Sequence, residues 1–279
     1  MRKTSPIGVF DSGYGGLTIL KGLRKALPQY DYLYLGDNAR APYGTRSFDI
    51  VYGFTLEAVR YLFAQGCPLV ILACNTASAK ALRSIQQNDL PRMADPGLRV
   101  LGVIRPTVEL IPSVTRSGHV GVLGTPGTVA SRSYTMEIGK TSPDIRVTEV
   151  ACPLWVPLVE NREADSPGAD YFVGKYLDTL MQADPAIDTV ILGCTHYPLL
   201  YPKIRAYLPP EIKVLAQGEL VGNSLADYLL RHPEMETRLS KGGDTRFLTT
   251  ENTEKFNPLA SLFVGHPACA QRIDLTNTL

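Results

Sequence analysis

The stretches "PLVILACNTAS" (68–78) and "DTVILGCTHYP" (188–198) carry the reading of the fold. In each, an apolar run stops at a small residue and then a cysteine, with a threonine close behind. Runs of this length without polar alternation suit β-strands buried on both faces, as in parallel sheets. Similar runs recur at "PIGVF" (6–10), "DYLYLG" (31–36), "LRVLGV" (98–103), "HVGVLG" (119–124), "IRVTEV" (145–150) and "IKVLA" (212–216). Helical patterns lie between them. Ser47 is placed to cap a helix through Ile50, Val51, Phe54, Ala58 and Leu62 that stops at Gly66. Ser166-Pro167 opens another through Tyr171, Val173, Tyr176, Leu177 and Leu180. Strands alternating with helices predict an α/β fold of doubly wound, mostly parallel sheets, whose ligands bind at the carboxyl ends of the strands.

Those ends carry Asp11, Ser12, Asp37, Cys74, Thr125 and Cys194, a polar and nucleophilic set. The duplication also extends beyond the cysteines. "IGVFDSGYGGLTIL" (7–20) and "VGVLGTPGTVASRS" (120–133) share a strand, a polar residue and glycine-spaced turn, then a helix. Two similar α/β domains related by a pseudo-twofold, with the active site between them, explain both repeats. The first is expected over 1–97 plus 211–279 and the second over 98–210, with 240–279 adding edge structure to the first. "Gly13-Tyr14-Gly15-Gly16" lacks the phosphate-loop signature and reads instead as a tight turn that lets backbones approach closely.

Composition narrows the class. Net charge is +1 with no long basic run, so nothing points to nucleic acid or a membrane surface. "MRKTSPIGVFDSG" has no apolar core of a secretion leader, and no run approaches membrane-spanning length, so a cytoplasmic protein is expected. Five cysteines, with no C-x-x-C pair, argue for free thiols over disulfides or zinc. No metal set and no strand-end lysine for pyridoxal phosphate is evident. Cys67, Cys152 and Cys269 lack the duplicated context and read as structural.

Two cysteines facing one cleft from opposite halves suit inversion of a carbon centre, where one group removes a proton and the other returns one to the opposite face. A cysteine is active as thiolate, with an ordinary pKa of about 8.5, so both need tuning. Strand-to-helix turns would favour a negative sulfur, and Asp11 near Cys74 and His196 near Cys194 are candidate partners. Backbone N–H groups and hydroxyls after Asn75, Thr76 and Thr195 are natural carboxylate holders, and Asp11, Ser12 and Asn75 could receive an ammonium.

The blocks "FDSGYGGL" (10–17), "GDNARAPYG" (36–44), "ACNTAS" (73–78), "LGTPGTVASRSY" (123–134), "CPLWVPLVE" (152–160) and "LGCTHYPLL" (192–200) closely resemble the glutamate racemase family, in family order. The resemblance implies cofactor-independent interconversion of L- and D-glutamate for peptidoglycan synthesis, in a homodimer. It further implies that Cys74 deprotonates the D-enantiomer and Cys194 the L-enantiomer. Substrate contacts are implied at Asp11, Ser12, Tyr43, Gly44, Asn75, Thr76, Thr195 and His196, with Asp37 and Glu160 as assisting acids; Glu163 lies close to the latter. Two positions depart from the family pattern: Arg105, where an acid is frequent, and Gln217-Gly218, where Asp-Ser is frequent. Neither touches the cysteine motifs, so activity is expected to persist, and the departures bear instead on substrate gating, subunit contacts and any activator response. An aspartate or broader amino-acid racemase, a one-cysteine hydrolase or lyase, and a non-catalytic binding protein on the same fold remain alternatives.

Overall fold

The computed structural model describes residues 5–275. The Arg2-Lys3 pair of the leader reading and the last four residues of the expected tail, 276–279, lie outside them. Its strands are β1 (Ile7–Asp11), β2 (Tyr32–Gly36), β3 (Leu69–Leu72), β4 (Arg99–Gly102), β5 (His119–Gly124), β6 (Arg146–Ala151), β7 (Thr189–Gly193), β8 (Lys213–Leu215), β9 (Thr245–Thr249) and β10 (Ala270–Arg272). Among the described residues they form a six-stranded sheet ordered β10-β9-β2-β1-β3-β4 and a four-stranded sheet ordered β6-β5-β7-β8, with every pairing parallel. The order β2-β1-β3-β4 repeats as β6-β5-β7-β8, so the two halves share one winding. Central strands β1, β3 and β7 are buried at every position, as their unbroken apolar runs require.

Sheet membership corrects the expected boundaries at 97 and 210. β4 pairs with β3 and closes the first sheet, and β8 pairs with β7 and closes the second. "MADPGLRV" is the turn before an edge strand, so each half releases the chain only after its fourth strand. The tail supplies β9 and β10 to the edge beyond β2.

The helices that follow the fourth strands cross over. Helix Ile104–Val114, after β4, packs on helix Ser133–Thr141 of the other half, while helix Gln217–Arg231, after β8, packs on helix Gly16–Ala26. The latter crossing is glycine-lined. A Cβ on Gly22 would lie 2.0 Å from the Gly218 carbonyl oxygen, and one on Gly222 would lie 2.6 Å from that of Gly22. Backbones this close leave no room for side chains, so the halves are held in one relative position at this seam. Ser166 caps the 167–183 helix through the Ala169 N–H at 3.2 Å; Ser47 occupies the N-cap of the 48–64 helix without making the side-chain bond. No helix among the described residues is long and apolar enough to cross a membrane.

Candidate active site

Strand register places the polar residues. Gly124 is level with Ala151 and with Gly193, so Thr125, Cys152 and Cys194 leave the second sheet side by side. In the first sheet Asp11 is level with Gly36 and Phe10 with Leu72, and the Ala73 N–H bonds the Phe10 carbonyl at 2.8 Å. Ser12, Asp37 and Cys74 therefore leave together. The two rims face one cavity of about 300 Å3, which both Cys74 and Cys194 line. Asp11, Ser12, Tyr43, Gly44, Asn75, Thr76, Glu160, Thr195 and His196 also reach it.

Cys74 is the N-cap of helix Asn75–Lys80. Its sulfur accepts from the Ala77 N–H at 3.4 Å and lies 3.3 Å from Ser12 Oγ. Two donors and a helix start favour thiolate, but burial and then the neighbouring Asp11 carboxyl outweigh them, and the thiol is pushed up to about 12. The expected help from the strand-to-helix turn is present, but a six-residue helix start does not offset the burial of a 6 % exposed sulfur. Asp11 itself is 1 % exposed, and burial raises its pKa although His196 and the Gly16 and Gly13 amides oppose the rise.

Cys194 is set differently, since β7 runs into a turn and a 3-10 helix, Tyr197–Leu200. The expected helix start is missing here, and the charged partner is His196. Its Nδ1 lies 3.9 Å from the Cys194 sulfur and its Nε2 2.9 Å from Glu160 Oε1. Burial would lower the imidazole's pKa, but its bonds to Cys194 and Glu160 prevail and lift it to about 10. His196 is thus pinned between the Cys194 sulfur and the Glu160 carboxylate, both of which favour its cationic form. Glu160, at the end of helix Trp155–Glu160, makes this bond, while Glu163 is exposed and does not line the cavity.

The turn after β1 brings the halves together. A Cβ on Gly15 would lie 2.3 Å from Thr195 Oγ1 and 2.4 Å from His196 Nδ1, so only glycine allows this approach. Thr18 Oγ1 reinforces it by reaching the Thr195 carbonyl at 3.0 Å. Across the cavity the Gly127 N–H donates to the Gly44 carbonyl at 2.7 Å. Thr76 Oγ1 meets Thr125 Oγ1 at 3.0 Å, again joining the two halves.

Asp37 requires a correction. It is fully buried but does not line the cavity. Its carboxylate accepts from the Tyr43 hydroxyl, from Arg40 Nε at 2.7 Å and from Thr250 Oγ1 at 2.9 Å. Asp37 therefore holds the Tyr43 wall from behind. Cys152, read as structural, lines the cavity beside Cys194, a placement that only the register of β5 with β6 reveals. The tail, in which no chemistry was legible, contributes helix Thr253–Val264, whose Phe263 ring meets His196 edge-on at 5.8 Å. Of the two departures, Arg105 pairs with Glu109 on an exposed helix face. Gln217, expected to leave the cysteine motifs untouched, bonds Asn75, the neighbour of Cys74, directly.

A family model described as Asp/Glu/Hydantoin racemase matches residues 16–219. The glutamate racemase of Ruegeria sp. (strain TM1040) is 41% identical over 268 residues, covering 92% of this chain and 96% of that protein. Among solved structures, a glutamate racemase isoform from Bacillus anthracis superposes with a TM-score of 0.88 at 34% identity, over 98% of this chain and 99% of that one. The Francisella tularensis glutamate racemase, solved in complex with D-glutamate, gives a TM-score of 0.86 at 32% identity over 98% of each chain.

Proposed function

This chain belongs to the Asp/Glu/Hydantoin racemase family, and we propose that it interconverts L- and D-glutamate with Cys74 and Cys194 as the two bases. The observation that carries the proposal is a single cavity lined by two thiols that leave equivalent strands of the two halves. From L-glutamate, the Cys194 thiolate takes the α-proton, so the C–H bond breaks and an S–H bond forms. The Cys74 thiol then gives its own proton to the opposite face of the carbanion and is left as thiolate. The D-enantiomer follows the reverse course. His196, in its cationic form, balances the charge of the Cys194 sulfur, and Glu160 favours that form. Ser12 and the Ala77 N–H stabilise a negative Cys74.

Asn75, Thr76 and Thr195 hold the α-carboxylate, and Asp11 and Ser12 receive the ammonium. Asp37 acts only through Tyr43. The product supplies peptidoglycan synthesis in the cytoplasm, and the enzyme works as a homodimer, which light scattering tests. The decisive experiment follows α-proton exchange in deuterated water, from L- and D-glutamate separately, with no cofactor added. The parent is expected to place deuterium in the inverted product, and Cys74→Ser and Cys194→Ser each to stop inversion. A dispensable cysteine, or no exchange in the parent, overturns the proposal. L- and D-aspartate in parallel separate the broader racemase.

A further inference from the structure

Behind the Cys74 rim lies a closed set of buried polar groups drawn from four elements. Gln217 is the first residue of helix Gln217–Arg231 and only 2 % exposed. Its Nε2, which carries two hydrogens, lies within hydrogen-bond distance of three oxygens: the Val103 carbonyl at 3.0 Å, Thr107 Oγ1 at 2.9 Å and the Tyr134 hydroxyl at 2.9 Å. Asn75 Nδ2 donates to Gln217 Oε1 at 2.6 Å, and the Tyr134 hydroxyl donates to Asn75 Oδ1 at 2.7 Å.

The proton directions follow from one fixed point. A backbone carbonyl only accepts, so the Gln217 atom at Val103 is the amide nitrogen. Its oxygen must then face Asn75, which in turn must present Nδ2 there. Asn75 Oδ1 then faces Tyr134 and can only accept, so the Tyr134 hydroxyl donates to it. Every amide in the set therefore has one permitted orientation. Asn75 keeps one Nδ2 hydrogen beyond these bonds, and the residue lines the cavity.

We propose that Gln217 is a positioning residue for the racemisation, orienting the Asn75 carboxamide so that its remaining N–H meets the substrate. The inference rests on the racemase reading. Val103 and Asn75 belong to the first half, while Tyr134 and the strand leading to Gln217 belong to the second. The same amide thus ties the Asn75 orientation to the relative position of the halves. An unpaired buried amide is costly, so the set forms as a whole or not at all.

The test compares Gln217→Met, Tyr134→Phe, Asn75→Ala and the double variant Gln217→Met/Asn75→Ala with the parent, measuring KM and kcat from both enantiomers together with thermal unfolding. Because the Asn75 contact holds substrate and transition state alike, Gln217→Met is expected to raise KM about tenfold with kcat changed far less. The double variant is expected to match Asn75→Ala within about twofold, since the two residues act through one contact. If Gln217→Met loses cooperative unfolding, Tyr134→Phe carries the same expectation, as it removes only the donor to Asn75 Oδ1. Parental KM in the folded variants, or KM losses that multiply in the double variant, overturn the positioning role while the parent still racemises. A parent that exchanges no α-proton overturns both readings.

Discussion

Gly15→Ala tests the close approach on which the Cys194 side depends. The backbone at Gly15 has φ −58° and ψ −36°, a conformation that alanine adopts freely, so the substitution brings no backbone strain. The cost arises from the new methyl, which would sit 2.4 Å from His196 Nδ1 and 2.7 Å from its Cε1. Ordinary contact lies near roughly 3.5 Å, so the imidazole must retreat by about 1 Å. The ring has little room, with Phe263 at its edge and Glu160 holding Nε2 at 2.9 Å. The Cys194 to His196 contact is already 3.9 Å and would open beyond reach. Misplacement of this size costs on the order of 100-fold in kcat, whereas overpacking costs stability about 1–3 kcal/mol. Progress curves of optical rotation from each enantiomer, with urea unfolding alongside, separate the two effects. A folded Gly15→Ala enzyme with kcat within about threefold of the parent would refute the argument.

Gly53 provides the opposite case: it lies inside the 48–64 helix, and a Cβ there meets nothing within 4 Å. Gly53→Ala should add roughly 0.5–1 kcal/mol of stability with unchanged kinetics, and a lower urea midpoint would contradict this. Glu160→Gln removes one of the two partners that lift His196 to about 10, so the imidazolium is lost at lower pH. The alkaline decline of kcat/KM from L-glutamate should then move down toward the ordinary histidine value of about 6.5; identical pH profiles in parent and variant would count against a role for this cation. Asp37→Asn should raise KM and weaken the fold while leaving the shape of the pH–rate profile intact, because that carboxylate lies behind Tyr43. A lost limb in that profile would return Asp37 to the reacting groups.

Much of the fold was legible because a strand buried on both faces must be apolar throughout, and β1, β3, β5 and β7 are runs of that kind. The domain boundaries were less so. β4 and β8 are short edge strands, and their sheet membership depends on which neighbour they pair with, which local pattern does not encode. Cys152 shows the same limit in the site. Its flanking sequence resembles a turn, and only pairing of Ala151 with Gly124 sets it level with Thr125 and Cys194. Gln217 was noticed only as a departure, because its partner Asn75 is far away in sequence and meets it through the crossing of the helices.

By itself, the sequence determined the α/β class, the duplicated strand ends and the pair of cysteines, since each follows from local hydrophobicity and from the chemistry of residues adjacent along the chain. Tertiary structure decided how those residues are tuned. Burial holds the Cys74 thiol neutral, Glu160 and Cys194 favour a charged His196, and Asp37 is turned away behind Tyr43. These outcomes depend on desolvation and on distances between segments far apart in the chain, quantities that exist only once the two halves have closed on each other.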